Sequence, residues 1–467
     1  MDTQQVSEQG GMYAPSAKQQ RNSFLIKILL LGLVTLGLLI PLLMANGLIT
    51  ERKQNSEEAI SEVARAWGGD QLLVGPMLQI PYLQGIRSEG SSKVEYHTNY
   101  IYLMPQQLDV KGDVQAETKK RSIYTIPIYN STIQLSGHFD LRMLQEAPGL
   151  PANLELDKAS IVMGISETKG IKEQVSISLN NELHKLQINA EGVKVNLGAE
   201  YYGDADVVEP SYDTGRALLS APYSLANLDE AKPISFTATL SLGGSRSLSL
   251  APVGTESKFA VSSNWPSPSF QGNFLPDSSS IAQTGFSAGW SIVDYNRSYS
   301  AVVKYEDSDV FGQNVARVHF FQERDHYTQS DRSTKYGILI VLLTFVSIFF
   351  IEMAMRAHNV SINIFHYLLV GLALVLFYSL LISISELIGF GWAYLISSVM
   401  TIGLVGLFFR SLLPPGKHAL ILVGIMSFLY LLVYLLIQMT TYALLAGSLG
   451  LFVILAIVMY VSSRLIK

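Results

Sequence analysis

Cysteine is absent from all 467 residues. Its absence excludes disulfides, thiolate catalysis, thiolate-ligated zinc and iron–sulfur clusters together. A domain of ordinary size folds without disulfide staples, so the absence fits an oxidising compartment as well as a reducing one. Charge is scarce too: Asp, Glu, Lys and Arg make up 15% of the chain, against about 25% in a typical soluble protein. The net charge is −5 and no long block of Lys or Arg occurs, so the basic stripe that would neutralise nucleic-acid phosphates is missing and no nucleic-acid partner is expected. There is neither a Walker A sequence nor a dinucleotide-binding glycine pattern, and no cofactor is expected.

The missing charge is concentrated in two places, near the N-terminus and in the last third. A helix needs about 20 apolar residues to cross the hydrocarbon core. The run Ile28–Leu48 predicts a first membrane helix over residues 24–49, with Pro41 expected to kink it. Five more are predicted at 337–355, 364–384, 390–409, 419–439 and 443–461, forming a bundle over 336–467. Lys and Arg near segment ends mark cytoplasmic flanks. Lys18, Arg21 and Lys27, then Arg356, then Arg410 and Lys417, then Arg464 and Lys467 all fall on one side of the alternation. The opposite short loops, Glu386–Trp392 and Gln438–Tyr442, have none. The pattern predicts both termini in the cytoplasm and residues 50–335 outside, with the bilayer as an obligatory partner. The first apolar run is longer than the core of a signal peptide, which favours an uncleaved anchor. Residues 1–22, rich in Gln, Ser and Gly, read as a disordered tail.

Residues 51–67 carry apolar positions at helical spacing, with Asn55 placed to cap them, and predict a stalk helix. From about Gln79 to Phe321 the period changes to two, with Asn180-Asn181, Gly243-Gly244 and Pro252 with Gly254 as turn signals. The expected fold is therefore an α-helical membrane protein with six transmembrane helices and one large, mostly antiparallel extracytoplasmic β domain, a sandwich or roll.

Five sets of segments stand out: Leu73–Pro81 (LVGPMLQIP), Arg121–Tyr124 with Ile128-Tyr129 and Gly137–Phe139, Asn264–Pro276 (NWPSPSFQGNFLP), Asp331–Tyr336 (DRSTKY), and Tyr367–Leu372 with Phe377-Tyr378 and Ser385-Glu386. Together they resemble the CreD family of bacterial inner-membrane proteins. Their order and spacing carry the resemblance, which covers most of residues 25–410. It implies an inner-membrane location and a role in cell-envelope integrity or stress response, and brings no catalytic residues with it.

Motifs of known chemistry are few. Gly285-Phe-Ser-Ala-Gly289 fits G-x-S-x-G, but its surroundings read as a strand with no helix following, where a nucleophile elbow needs a strand-to-helix turn. Ser166-Glu-Thr-Lys169 fits S-x-x-K without the S-D-N and K-T-G partners of penicillin-recognising enzymes. His319, Glu323, Asp325 and His326 read as a solvated turn rather than a zinc site. The expected protein is thus not an enzyme, and its β domain binds or senses an envelope protein or polymer. The candidate partner-binding loop is Trp265, Pro266, Pro268, Phe270, Gly272 and Phe274, with the prolines stiffening it toward polyproline II. The candidates for coupling to the membrane are Asp331, Arg332 and Lys335 at the junction, and Glu352 and Glu386 near the ends of membrane segments. Two other readings have their own requirements. A transporter or channel needs Glu352, His366 or Glu386 to line a wet cavity. An envelope hydrolase needs Ser287 within hydrogen-bond reach of a histidine.

Overall fold

The computed structural model describes residues 17–87, 94–121, 124–189, 217–307, 310–320, 326–355, 362–414, 417–439 and 443–465. The chain divides into two compact units: Ser56–Glu323, and Met1–Asn55 together with Arg324–Lys467. The first sixteen residues, residues 193–202 of the period-two region, Glu323, Asp325 and Arg356 lie outside the described residues.

The chain begins with α1 (Ala17–Gly37) and α2 (Leu39–Trp67), separated only at Leu38. Pro41 explains the break, because it offers no N–H to the Gly37 carbonyl and its ring crowds that group. The helix does not restart at Asn55. No proline or glycine lies between Thr50 and Trp67, so α2 continues through this residue and the expected cap is an interior position. Trp67, at the end of α2, lies beneath Lys119 and Lys172, whose Nζ atoms sit 3.5 and 4.4 Å from its ring centroid.

The described strands of the Ser56–Glu323 unit are β1 (Gln71–Arg87), β2 (Val94–Leu103), β3 (Gln107–Arg121), β4 (Tyr124–Phe139), β5 (Ser160–Ile165), β6 (Ser176–Leu179), β7 (Glu182–Lys185), β8 (Gln187–Asn189), β9 (Ala217–Pro222), β10 (Ile234–Ser245), β11 (Ser247–Leu250), β12 (Glu256–Ser263), β13 (Pro268–Gly272), β14 (Ser278–Ala282), β15 (Gly285–Val293), β16 (Val302–Lys304) and β17 (Ala316–Phe320), with short helices α3 (Arg142–Glu146) and α4 (Val310–Gln313) between them. They form two sheets. One runs β13-β17-β11-β1-β5-β9-β8, with β2 joining β1 to β16; the other runs β14-β15-β12-β3-β4-β10-β6-β7. All pairings are antiparallel except β1 with β11 and β3 with β12.

Alternation produces the core. β12 and the first part of β10, Ile234–Ser241, bury every second residue, and the inner faces of both sheets meet in one cluster that includes Ile80, Tyr102, Val162, Leu135, Phe236 and Trp290. That is a sandwich. Each large apolar side chain buried there contributes about 1.5–3 kcal/mol relative to exposure.

Two turn signals had different outcomes. Asn180 and Asn181 both have positive φ (48° and 71°) and close the two-residue hairpin in which Leu179 pairs with Glu182, the geometry that type I′ turns demand. Gly243-Gly244 is not a turn: β10 runs straight through it. A Cβ on Gly244 would lie 2.3 Å from the Tyr129 hydroxyl, so glycine serves close packing there. The chain changes sheet at Arg246 instead, with φ 53°, as sandwich corners do when a strand passes from one sheet to the other.

The second unit continues with α5 (His326–Lys335), α6 (Gly337–Ala354), α7 (Ile364–Ile388), α8 (Phe390–Leu412), α9 (His418–Gln438) and α10 (Ala443–Leu465). Among the described residues five helices are long and apolar enough to cross a membrane: the stretch Leu25–Ala64 and α6 to α9. In α10 the described apolar stretch is Leu445–Tyr460. The bundle has its own core, with Phe377 edge-on to Tyr430 at 4.8 Å and to Tyr394 at 5.4 Å.

Candidate functional site

The middle of the segment Trp265–Phe274 is a strand where polyproline II was expected. Residues Pro268–Gly272 form β13, paired with β17 in register Ser269 to His319. β13 is the last strand on its side of the sheet among the described residues. Proline is tolerated at the first residue of such a strand, where no ladder donor is required. The aromatic residues point inward. Phe270 stands edge-on to Phe286 and Trp290 at 5.8 and 5.9 Å, and Trp265 is edge-on to Phe320 at 6.3 Å. The Trp290 indole donates to the Phe274 carbonyl at 3.1 Å. Gly272 has φ 90°, and a Cβ there would meet the Val315 carbonyl oxygen at 2.3 Å. The solvent side of the segment offers Pro266, Gln271 and Asn273, with Leu275 exposed.

The two enzyme-like motifs fall on ordinary structure. Ser287 is an exposed residue of β15, opposite Ser262 and Ser280. It lines a shallow groove of about 770 Å³ with Lys111, Asp113, Thr132 and Gln134, and no described histidine lines that groove. Ser166 is buried; its hydroxyl donates to the Asp70 carbonyl at 2.8 Å and accepts from the Leu72 N–H at 2.9 Å. Burial raises the neighbouring Glu167 carboxyl above the usual range. His319 is buried in β17. No group of three or more metal-ligating side chains is present among the described residues.

One buried charge had no signal in the sequence. The Arg297 guanidinium donates to the Val253 and Pro252 carbonyls at 2.7 and 3.2 Å and lies over the Tyr299 ring. Burial lowers its pKa and pushes the Tyr299 hydroxyl up to about 12. Two carbonyls and an aromatic face stand where a carboxylate partner would be expected, and the arrangement holds loops rather than presenting a reactive group.

In the helical unit the candidate residues separate into two levels. Glu352, on the last turn of α6, accepts from Lys27 of α1 and from the Tyr367 hydroxyl of α7 at 3.0 Å. Lys27 also donates to the Ile362 carbonyl at 2.8 Å. The other level contains Glu386, which accepts from the Tyr327 hydroxyl at 3.2 Å, and Thr334, which donates to Asn46 Oδ1 at 2.8 Å. Asp331 and Lys335 pair within α5 at 3.0 Å, on an exposed helix face, and Arg332 is half-buried beside them. Surface pairs of this kind contribute about 0–1 kcal/mol. Lys27 of α1 and Asn46 of α2 are about 28 Å apart along the chain's helical path, and Thr334 of α5 and Glu352 of α6 about 27 Å, at 1.5 Å per residue. The α1–α2 and α5–α6 segments therefore run antiparallel and are tied at two levels almost one hydrocarbon thickness apart. The partner for Glu352 was hidden in the sequence, although both residues lie at ends of apolar runs on the same predicted side.

The chain matches a known family along nearly its whole length. The sequence profile described as "Inner membrane protein CreD" matches residues 23–466. The chain belongs to the CreD family. The inner membrane protein CreD of Escherichia coli strain K12 is similar to it, 30% identical over 444 residues that cover 93% of this chain and 92% of the relative. A CreD chain with five candidate spans is a multi-pass inner-membrane protein.

Proposed function

We propose that this CreD protein crosses the inner membrane six times, keeps both termini in the cytoplasm and holds its β domain in the periplasm. There it contributes to envelope integrity or stress response by binding or sensing an envelope protein or polymer, without catalysis. The observation that carries the topology is the strict alternation of Lys and Arg among the short loops. Support comes from the two polar levels: Lys27 and Glu352 meet at one end of the bundle, Asn46 and Thr334 at the other.

The absence of cysteine makes the test simple, since a single introduced thiol is the only one. A membrane-impermeant maleimide should label Tyr295→Cys, a position 95% exposed in the β domain, in cells with only the outer membrane opened. Lys417→Cys and Lys467→Cys should label only after the inner membrane is broken. Labelling of Lys467→Cys without lysis would mean that α10 does not cross.

The binding reading rests on β13 as an exposed sheet edge, which can accept an added strand through its free backbone groups. Photocrosslinking probes at Ser267, Ser269 and Gln271 in living cells should give a discrete product with an envelope protein or glycan. Crosslinks confined to the chain itself would make the segment a structural clasp and remove this edge as the docking site.

A further inference from the structure

The shallow groove of about 770 Å³ beside Ser287 lies on the outer face of the eight-stranded sheet. Two cross-strand rows build it. Ser278, Gly289, Ala260, Lys111 and Gln134 stand opposite one another in turn across β14, β15, β12, β3 and β4. Ser280, Ser287, Ser262, Asp113 and Thr132 form the row beside it. Each row crosses four strand spacings, about 19 Å. Gly289 and Ala260 form the floor. Strands disfavour glycine, and one inside a strand commonly marks a bulge or the close approach of a backbone or a ligand. The β12–β15 register is unbroken at Gly289. A Cβ there would meet the Ser278 hydroxyl at 3.0 Å, which can rotate away, and the Phe259 carbonyl oxygen at an ordinary 3.8 Å. The protein's own packing therefore does not require this glycine. Around the floor, Ser262, Ser278, Ser280, Ser287, Thr132 and Gln134 are exposed, and none of their side chains has a hydrogen-bond partner among the described residues. Lys111 has no ion pair among them, and Asp113 accepts from the Gln115 amide at 3.1 Å. Val261 and Ala288 also line the groove but are buried, so no large apolar side chain faces it.

We propose that this groove binds a neutral glycan, laid across the strands as an extended chain of about four sugar rings. The lining selects that class. Hydroxyls and an amide both donate and accept, as sugar hydroxyls do. One Lys balanced by one Asp offers little to a polyanion. The lack of exposed apolar side chains offers no anchor to a protein partner. A floor with nothing larger than a methyl group lets a sugar ring lie against the sheet. No aromatic platform is present, so each ring is held weakly and affinity accumulates along the chain. The inference rests on the reading that the β domain binds an envelope polymer, and deepens it by naming a polymer class and a surface other than β13.

The test uses the full-length protein in a detergent without a sugar headgroup. Ligand-observed saturation-transfer NMR surveys neutral disaccharides and tetrasaccharides of glucose, galactose, mannose and N-acetylglucosamine. At least one tetrasaccharide should bind, about 10-fold more tightly than the disaccharide of the same sugar, because the longer chain adds several modest hydrogen bonds. Ala260→Ile fills the floor and should abolish that binding. Isoleucine is a good strand former at this exposed position, so the variant should melt no lower than the wild type, which separates a blocked groove from a damaged fold. Thr132→Val/Gln134→Met should weaken binding about 10-fold, the worth of two modest hydrogen bonds. No binding of any tetrasaccharide, equal affinity for disaccharide and tetrasaccharide, or undiminished binding by Ala260→Ile would each overturn the proposal. These variants leave β13 untouched. A protein crosslinked at β13, beside a groove that takes no glycan, would keep the binding reading and remove the glycan site alone.

Discussion

Gly137→Ala should prevent the β domain from reaching its native state. Gly137 lies in β4 between two neighbours, opposite Leu108 of β3 and Phe236 of β10. A Cβ there would stand 1.9 Å from the Gln107 carbonyl oxygen and 2.7 Å from the Phe236 ring. The first contact is with backbone, which cannot rotate away. Relief requires β3 or β4 to shift, and both are central strands of an eight-stranded sheet. Overpacking a core costs about 1–3 kcal/mol when side chains can adjust. Here the ladder itself must open, so the loss should exceed about 3 kcal/mol, a large part of the 5–15 kcal/mol that stabilises a typical domain. Gly112→Ala is the matched control. It lies on the inner face of neighbouring β3, and its Cβ would meet Val261 at an ordinary 3.7 Å. Replacing glycine in a strand by alanine removes about 0.5–1 kcal/mol of entropic cost, so Gly112→Ala should be neutral or slightly stabilising. Limited proteolysis and thermal melting of the full-length protein would compare the two. Equal melting temperatures would show that the β3–β4 approach is looser than the structure has it.

The contrast between these glycines shows what a sequence can and cannot carry. The apolar runs and the period-two region were readable because each depends on neighbours in the chain: 337–355 against α6 at Gly337–Ala354, and the region from Gln79 to Phe321 against strands that run to β17 at Ala316–Phe320. The Asn180-Asn181 turn was legible for the same reason. The sheet order was not, because Gln71–Leu73 pair in parallel with Leu248–Leu250, far away in the sequence, and no local pattern encodes such a register. Gly243-Gly244 looked like a turn because glycine permits turns, yet close approach to Tyr129 is what requires it. The aromatic residues of Trp265–Phe274 were visible as anchors, but a sequence does not say whether an anchor holds a partner or the protein's own sheet. Lys27 was legible only as a topological charge, and the side chain it meets is set by helix packing.

That meeting yields the second large effect. Lys27 and Glu352 are 24% and 13% exposed, where the apolar stretches of α1 and α6 end. Removing one partner of a fully buried pair costs about 3–5 kcal/mol, because the survivor is left charged and uncompensated. With this residual exposure the loss should be roughly 2–3 kcal/mol. Lys27→Ala should be the worse single change, since the carboxylate then keeps only the Tyr367 hydroxyl and the weak 3.4 Å contact from the Ile362 N–H. It also subtracts one positive flank charge, although Lys18 and Arg21 remain to hold the orientation. Glu352→Gln should be milder, because an amide oxygen can still accept from Lys27 or Tyr367. The double variant Lys27→Met/Glu352→Leu should lose less than the sum of the single changes, as replacing both ions by apolar groups often does. Melting of the four proteins in one detergent gives the coupling energy directly. A coupling near zero would mean that the pair is a headgroup-level contact, and the two helices would then be held by Leu38, Leu42 and their neighbours in the apolar core alone.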